Sequence, residues 1–167
     1  SVVPLAPPMP AEALWESWTI LRAFAVAGSL AASYADPAAR ARMKPEALGE
    51  VARGLALSAR EVQAASEVRS AWFARAAELF EEVDAVALPA AQCWPFPADW
   101  RWPGEIAGVG MDSYHRWMEV TVPASLADLP ALGMPAGFGA DGTPGAGLPM
   151  GLQIVGPPGA DGRLLRL

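Results

Sequence analysis

Two apolar runs held apart by a glycine- and proline-rich insert constrain this chain more than any other stretch. Ala131 to Phe138 and Leu148 to Val155 flank the polar part of "ALGMPAGFGADGTPGAGLPMGLQIVG". Short apolar runs bounded by turn residues predict two strands, and the insert predicts a flexible hairpin connection at the surface. The insert also holds Gly137, Gly139 and Gly142 in a G-x-G-x-x-G pattern. That pattern cradles a pyrophosphate only where a helix begins directly after it. The next residues are "TPGAGLP", whose prolines and glycines cannot start a helix, so no dinucleotide is expected. The glycines supply positive φ for turns instead. Gln153, inside "MGLQIVG", is an amide among apolar neighbours and must find partners, which predicts a hydrogen-bond clamp between elements.

A further continuous run, "AVALPAA" (Ala85 to Ala91), predicts a strand covered on both faces. Upstream the period is helical. Residues 11 to 32 place Leu14, Trp18, Leu21, Phe24 and Ala25 on one stripe of a helix buried on most faces. A shorter helix starts at Pro45 and stops at Gly54, and "SARE" (Ser58 to Glu61) is a capping box opening a third helix. Its buried stripe is Ala65, Val68, Trp72, Ala76 and Leu79, with Glu67, Arg75, Glu78 and Glu82 toward water. Residues 94 to 110, rich in Trp and Pro, predict a loop or lid. "MDSYHRWMEV" reads as helical, a short helix starts at Pro123, and Asp161 caps a last turn. The pattern predicts one α/β domain: residues 1–83 a mainly helical lead-in, residues 84–167 the strands of the central sheet with connecting helices and the Trp/Pro-rich loop.

Composition narrows the function. The chain is 53% hydrophobic and 18% charged, more apolar than one small core of 167 residues needs, so something large is expected to cover it. A net charge of -6 repels phosphate backbones, which argues against a nucleic-acid partner. The single cysteine, Cys93, allows no internal disulfide, and with the single histidine, His115, it cannot build a zinc site. No metal and no cofactor is expected, and a reducing, cytoplasmic setting fits. "RAFAVAGSLAASYA" (Arg22 to Ala35) imitates a signal peptide but lies too far inside the chain, and it is too short to span a membrane. The chain opens on Ser1 and stops one turn into a helix, which predicts a piece of a longer polypeptide.

Candidate chemistry is sparse. Cys93 and His115 are the components of a thiol nucleophile and its base, although a lone Cys and a lone His are more often structural. Glu105, Asp112 and Glu119 are the components of a two-carboxylate site, but their spacing pairs none of them, and solvated charges are the default. The serine-hydrolase signatures G-x-S-x-G and S-x-x-K are absent. Of the tryptophans, Trp94, Trp100 and Trp102 suit a pocket or lid, and the others suit a core.

Three longer stretches carry a resemblance. "VDAVALPAA", "MDSYHRWMEVTVPASLADLPALGMPAGF" and "GLPMGLQIVGPPGADGRLL" together resemble the C-terminal part of the amidase signature family, and "LWESW" with "ALSAREVQAASEVRSAWFARAAELFEEVDAVALPA" extends the likeness over nearly the whole chain. The ordered "T-x-P-A-x-L-x-x-L-P-A", "P-A-G-F" and "G-L-P-x-G-L-Q-I-V-G-P" are its most specific elements.

The resemblance implies an α/β fold, the C-terminal part of a three-layer α/β/α structure with a mixed central sheet. It also implies carboxamide C–N hydrolysis by a Ser-cisSer-Lys mechanism. Those catalytic residues belong to a Gly/Ser-rich N-terminal half. This sequence has no Ser-Ser dipeptide, and its one lysine, Lys44 in "RMKPEAL", does not match the catalytic position. The chain is therefore expected to hold no catalytic residue and to be inactive alone. It would contribute one wall of the pocket for a small-molecule amide substrate: Cys93 and Trp94 after the "AVALPA" strand, then Trp117 and Met118, with Thr121 and Gln153 structural. Ser125 and Asp128 stand where many relatives have Asn and Gly. Met118 falls near a position that is acidic in the tRNA-dependent amidotransferase branch, which favours a general amidase. The alternative is a non-catalytic interaction module or truncated homologue that binds a partner. Self-association of the chain through uncovered strand edges is expected in either case.

Overall fold

The computed structural model describes residues 1–166. They form two compact units, Ser1–Arg75 and a second beginning at Ala76. The border falls inside a helix, so no linker composition marks it in the sequence.

The first unit is helical: α1 (Ala11–Ala35), α2 (Pro37–Arg40), α3 (Pro45–Ala56) and the first part of α4 (Ala59–Glu82). α1 is longer than the period suggests, and its buried face is different. Leu14, Trp15, Ser17, Ala23 and Ala27 are buried, whereas Phe24 is 53% exposed and Ala25 is exposed. The reason lies in α3. A Cβ on Gly54 would sit 2.1 Å from the Ala23 carbonyl oxygen and 2.5 Å from the Ala27 Cβ. The two helices thus cross with backbones nearly touching, and the face that meets is the small-residue face. Gly54 does not stop α3, which continues to Ala56. Around the crossing, Arg22 holds Glu50 through two hydrogen bonds of 2.7 and 3.3 Å and lies 5.4 Å from the Trp18 ring. The buried Ser17 hydroxyl donates to the Ala65 carbonyl of α4 at 2.7 Å.

The capping box of α4 forms as its spacing predicts. The Glu61 amide donates to the Ser58 hydroxyl at 3.2 Å, and the Glu61 carboxylate accepts from the Ser58 amide at 2.8 Å and from its hydroxyl at 2.7 Å. These bonds hold the Glu61 carboxyl below its ordinary value of 4.5. A carboxyl lowered in the fold contributes stability that is present above its unfolded value and lost as pH falls through its folded value. The protection factors of amides in the first turn of α4, which divide out the intrinsic pH dependence of exchange, should therefore fall on acidification below about pH 4.5. Ser58→Ala should flatten that dependence; an unchanged profile would contradict it. Along α4, Ala65, Trp72 and Ala76 are buried and Val68 and Leu79 half-buried, while Glu67, Arg75, Glu78 and Glu82 are exposed.

The second unit carries the strands. β1 (Val86–Pro89), β4 (Ala131–Phe138) and β5 (Pro149–Val155) form one sheet in the order β1-β5-β4. Both pairings are antiparallel: Val86 faces Val155 on one side of β5, and Ala131 faces Val155 on the other. A register shift between Pro135 and Gly137 bends β4 near its end. β1 is shorter than Ala85 to Ala91, and it is not covered on both faces. Val86 and Leu88 are half-buried and Ala87 and Pro89 exposed, because an unbroken apolar run still sends alternate side chains to opposite faces. In β4 only Leu132 is half-buried, and Phe138 is 76% exposed. The Trp/Pro-rich loop contains a small hairpin, β2 (Glu105–Ile106) with β3 (Val109–Gly110), turned by Ala107 and Gly108, both at positive φ. "MDSYHRWMEV" yields only a 3-10 helix, Arg116–Thr121, which passes into α5 (Val122–Leu126) with Pro123 in its first turn. The last turn, α6 (Asp161–Leu164), begins at Asp161 rather than being capped by it: Ala160 holds the N-cap position, with no side-chain cap bond.

Candidate functional site

The segment that leaves β1 and the 3-10 turn are drawn together by two amides. Gln153, 6% exposed, points from β5 and donates through Nε2 to the Pro89 carbonyl at 2.9 Å and the Val120 carbonyl at 3.0 Å. Gln92 Oε1 accepts the Val120 amide hydrogen at 3.0 Å. Val120 is thus held at both its N–H and its C=O. One residue on, the Thr121 hydroxyl donates to the Met118 carbonyl at 2.9 Å and closes the turn locally. Gln153 is legible as a lone amide in an apolar run. Gln92 carries the same signal in "AAQCW", where no motif or period singles it out.

Aromatic contacts extend the same juxtaposition. Phe96 meets Trp117 edge-on, with ring centroids 5.4 Å apart, and stacks on Trp100 at 6.5 Å. Trp102 meets Tyr114 edge-on at 6.2 Å. The loop after β1 is therefore pinned at two places to the segment 114–117. Trp117 Nε1 is buried and meets no hydrogen-bond acceptor among the described residues.

The four expected pocket residues divide by role. Trp117 and Met118 lie on the turn that the two glutamines grip. Trp94, one of the expected pocket residues, is packed on the glycine-rich connection. A Cβ on Gly145 would lie 2.0 Å from Trp94 Cδ2, and one on Gly139 would lie 1.9 Å from the Gly145 carbonyl oxygen. The connection lies at the surface as expected, exposed over residues 140–144 and 146–148 with Gly137, Gly142 and Gly147 at positive φ, and only Gly145 is buried within it. Gly145→Ala should displace the Trp94 indole and cost about 1 to 3 kcal/mol, the usual cost of overpacking. A urea midpoint unchanged from the parent sequence would show that the ring is free to move aside.

Cys93 is half-buried, and burial pushes its thiol up, so it stays protonated near neutral pH. A nucleophilic cysteine needs the opposite shift. His115 is buried, with Tyr114 edge-on at 4.8 Å. The three carboxylates take separate parts: Glu105 is exposed in β2, Asp112 is exposed, and Glu119 pairs with Arg116 at 3.2 Å. Asp128 has φ of 52°. That is the left-handed region where glycine is favoured and aspartate is among the few tolerated side chains. Among the described residues no group of three or more His, Cys, Asp or Glu side chains is placed to hold a metal ion, and no helix is long and apolar enough to cross a membrane.

Comparison with known proteins places this geometry. A crystal structure of an amidase superposes with a TM-score of 0.78 at 25% identity, over 93% of this chain and 34% of that one. A bacterial aryl acylamidase of the amidase signature family superposes at 0.77, with 21% identity over 95% of this chain and 33% of its own. A 6-aminohexanoate cyclic dimer hydrolase complexed with substrate gives 0.71, with 18% identity over 95% and 35%. The chain therefore spans about a third of the length of these solved proteins. None of the curated proteins matches it. The α/β arrangement, with its antiparallel pairing, matches a fold of the amidase signature type. The family model described as Amidase matches residues 2–165, and on that match the chain belongs to the amidase family.

Proposed function

We propose that this chain is the C-terminal segment of an amidase that hydrolyses carboxamide C–N bonds, and that it builds fold and one wall of the substrate pocket. The observation that carries the reading is the family match over residues 2–165 on a fold equivalent to about a third of a solved amidase. The bond-breaking groups, a Ser nucleophile, a cis-configured Ser and a Lys that relays the proton, lie in the remainder of the polypeptide. Such a mechanism needs a neutral amine to accept the serine proton and fixed N–H donors for the tetrahedral oxyanion. In this division of labour the pinned segments 92–96 and 114–121 face the substrate, Trp117 and Met118 among them, and a single unpaired cysteine fits a cytoplasmic setting. The test is turnover of simple carboxamides by the full-length polypeptide. Replacing its presumed nucleophilic serine by alanine should abolish turnover, and retained activity would overturn the assignment.

A second reading is favoured by β4. Its edge is apolar and open, with Phe138 76% exposed and Met134 exposed, and such an edge is a template for pairing with another chain. On this reading the isolated chain self-associates or docks on a partner without catalysis. Sedimentation at micromolar concentration discriminates: the 167-residue chain should run as dimers or larger, whereas a monodisperse monomer would count against an uncovered edge.

A further inference from the structure

The grip on Val120 reaches beyond stability. Val120 is the last residue but one of the turn that carries Trp117 and Met118, and its two polar backbone groups are held by side chains from two different places: Gln92, three residues past β1, and Gln153, in the central strand. Gln153 also holds Pro89, the last residue of β1, through the same nitrogen. The two segments that flank the candidate pocket are thus referred to one point on the sheet. A turn of 3-10 geometry has poorer hydrogen bonds of its own than an α-helix, so its placement depends on such outside contacts. Loosening one of them removes a contact that fixes where the turn sits.

We propose that Gln92 and Gln153 are positioning residues for substrate selection: by fixing Val120 they set the distance between the 92–96 segment and Trp117 and Met118, and hence the size of amide accepted. The proposal rests on the amidase reading. Neither glutamine contacts the reacting atoms in it; they act through the turn.

The two differ in how they can be tested. Gln153 donates to two carbonyls from a buried site, and its replacement endangers the fold. Gln92 is half-buried and contributes one acceptor oxygen, so Gln92→Ala removes the bond while Gln92→Glu keeps an acceptor for the Val120 N–H. The experiment uses the full-length enzyme and the ratio of kcat/KM for a bulky aryl amide to that for acetamide. In Gln92→Ala the ratio should change about tenfold, as expected where a wall is displaced by a fraction of an ångström, and in Gln92→Glu it should return toward the unsubstituted value. Amide exchange at Val120 should accelerate in Gln92→Ala and be restored in Gln92→Glu. A purely structural role would lower both kcat/KM values together and leave the ratio fixed, which overturns the proposal. A ratio that shifts equally in Ala and Glu variants overturns it as well, because the acceptor would then be irrelevant. If the unsubstituted full-length enzyme hydrolyses no amide, the amidase reading itself fails and takes this inference with it. That result is distinct from an active enzyme with an unmoved ratio.

Discussion

Gln153→Leu should destabilise the second unit by about 2 to 4 kcal/mol. Leucine ends one bond short of the amide nitrogen but is branched and no smaller in volume, so the change leaves little cavity. What it removes is the one nitrogen that donates to both the Pro89 and the Val120 carbonyls. Removing a hydrogen-bond partner costs roughly 1 to 3 kcal/mol where the group left behind is kept from water, and here two part-buried bonds are lost at once. Against a net stability of about 5 to 15 kcal/mol for a domain, that is a large fraction. The loss should be read from the urea midpoint at constant m, with Val120 and the residues of β1 losing exchange protection first. A loss under about 0.5 kcal/mol would mean that water replaces the amide without penalty, and the clamp would then have no energetic content.

Gly54→Ala should also destabilise, against the direction that helix propensity gives. Within a helix, alanine is favoured over glycine by about 1 kcal/mol, so an isolated α3 would gain. At the crossing with α1, however, the new Cβ would lie 2.1 Å from the Ala23 carbonyl oxygen and 2.5 Å from the Ala27 Cβ. Both are rigidly carried by α1, so neither can swing away, and the helices must separate by about 1 Å. Overpacking of this kind costs about 1 to 3 kcal/mol and more where backbone must move. We expect a net loss of about 2 kcal/mol in Gly54→Ala and a larger one in Gly54→Val, measured by the thermal midpoint of the helical signal. A rise in the midpoint would mean that the two helices do not approach this closely.

These two residues show where the sequence is readable and where it is not. The Ser58–Glu61 cap is legible because its four residues contact one another, so spacing alone specifies it. β4 and β5 are legible for a similar reason, with apolar runs ended by turn residues. Gly54 reads wrongly as a helix stop because glycine has two uses, ending helices and letting backbones touch, and only the partner helix tells them apart. The same partner explains Phe24. A helical period weights large apolar residues, whereas a close crossing buries Ala23 and Ala27 and leaves the ring outside. Trp94 is legible as an indole in a proline-rich loop, but the groove it packs into, made by Gly145 about fifty residues later, is not. No local pattern encodes that contact. In the site, Gln153 is visible from its chemistry, an amide that cannot be buried alone. Its partners are not, since both are backbone carbonyls and carry no residue signature.

The central claim is that this chain shapes an amide pocket without holding the groups that cleave the bond. Turnover of a simple carboxamide by the purified 167-residue chain, assayed beside the full-length polypeptide, tests it most directly. The account predicts hydrolysis by the full-length protein and none by the chain. Hydrolysis by the chain alone, abolished by replacing Cys93 or His115, would contradict it.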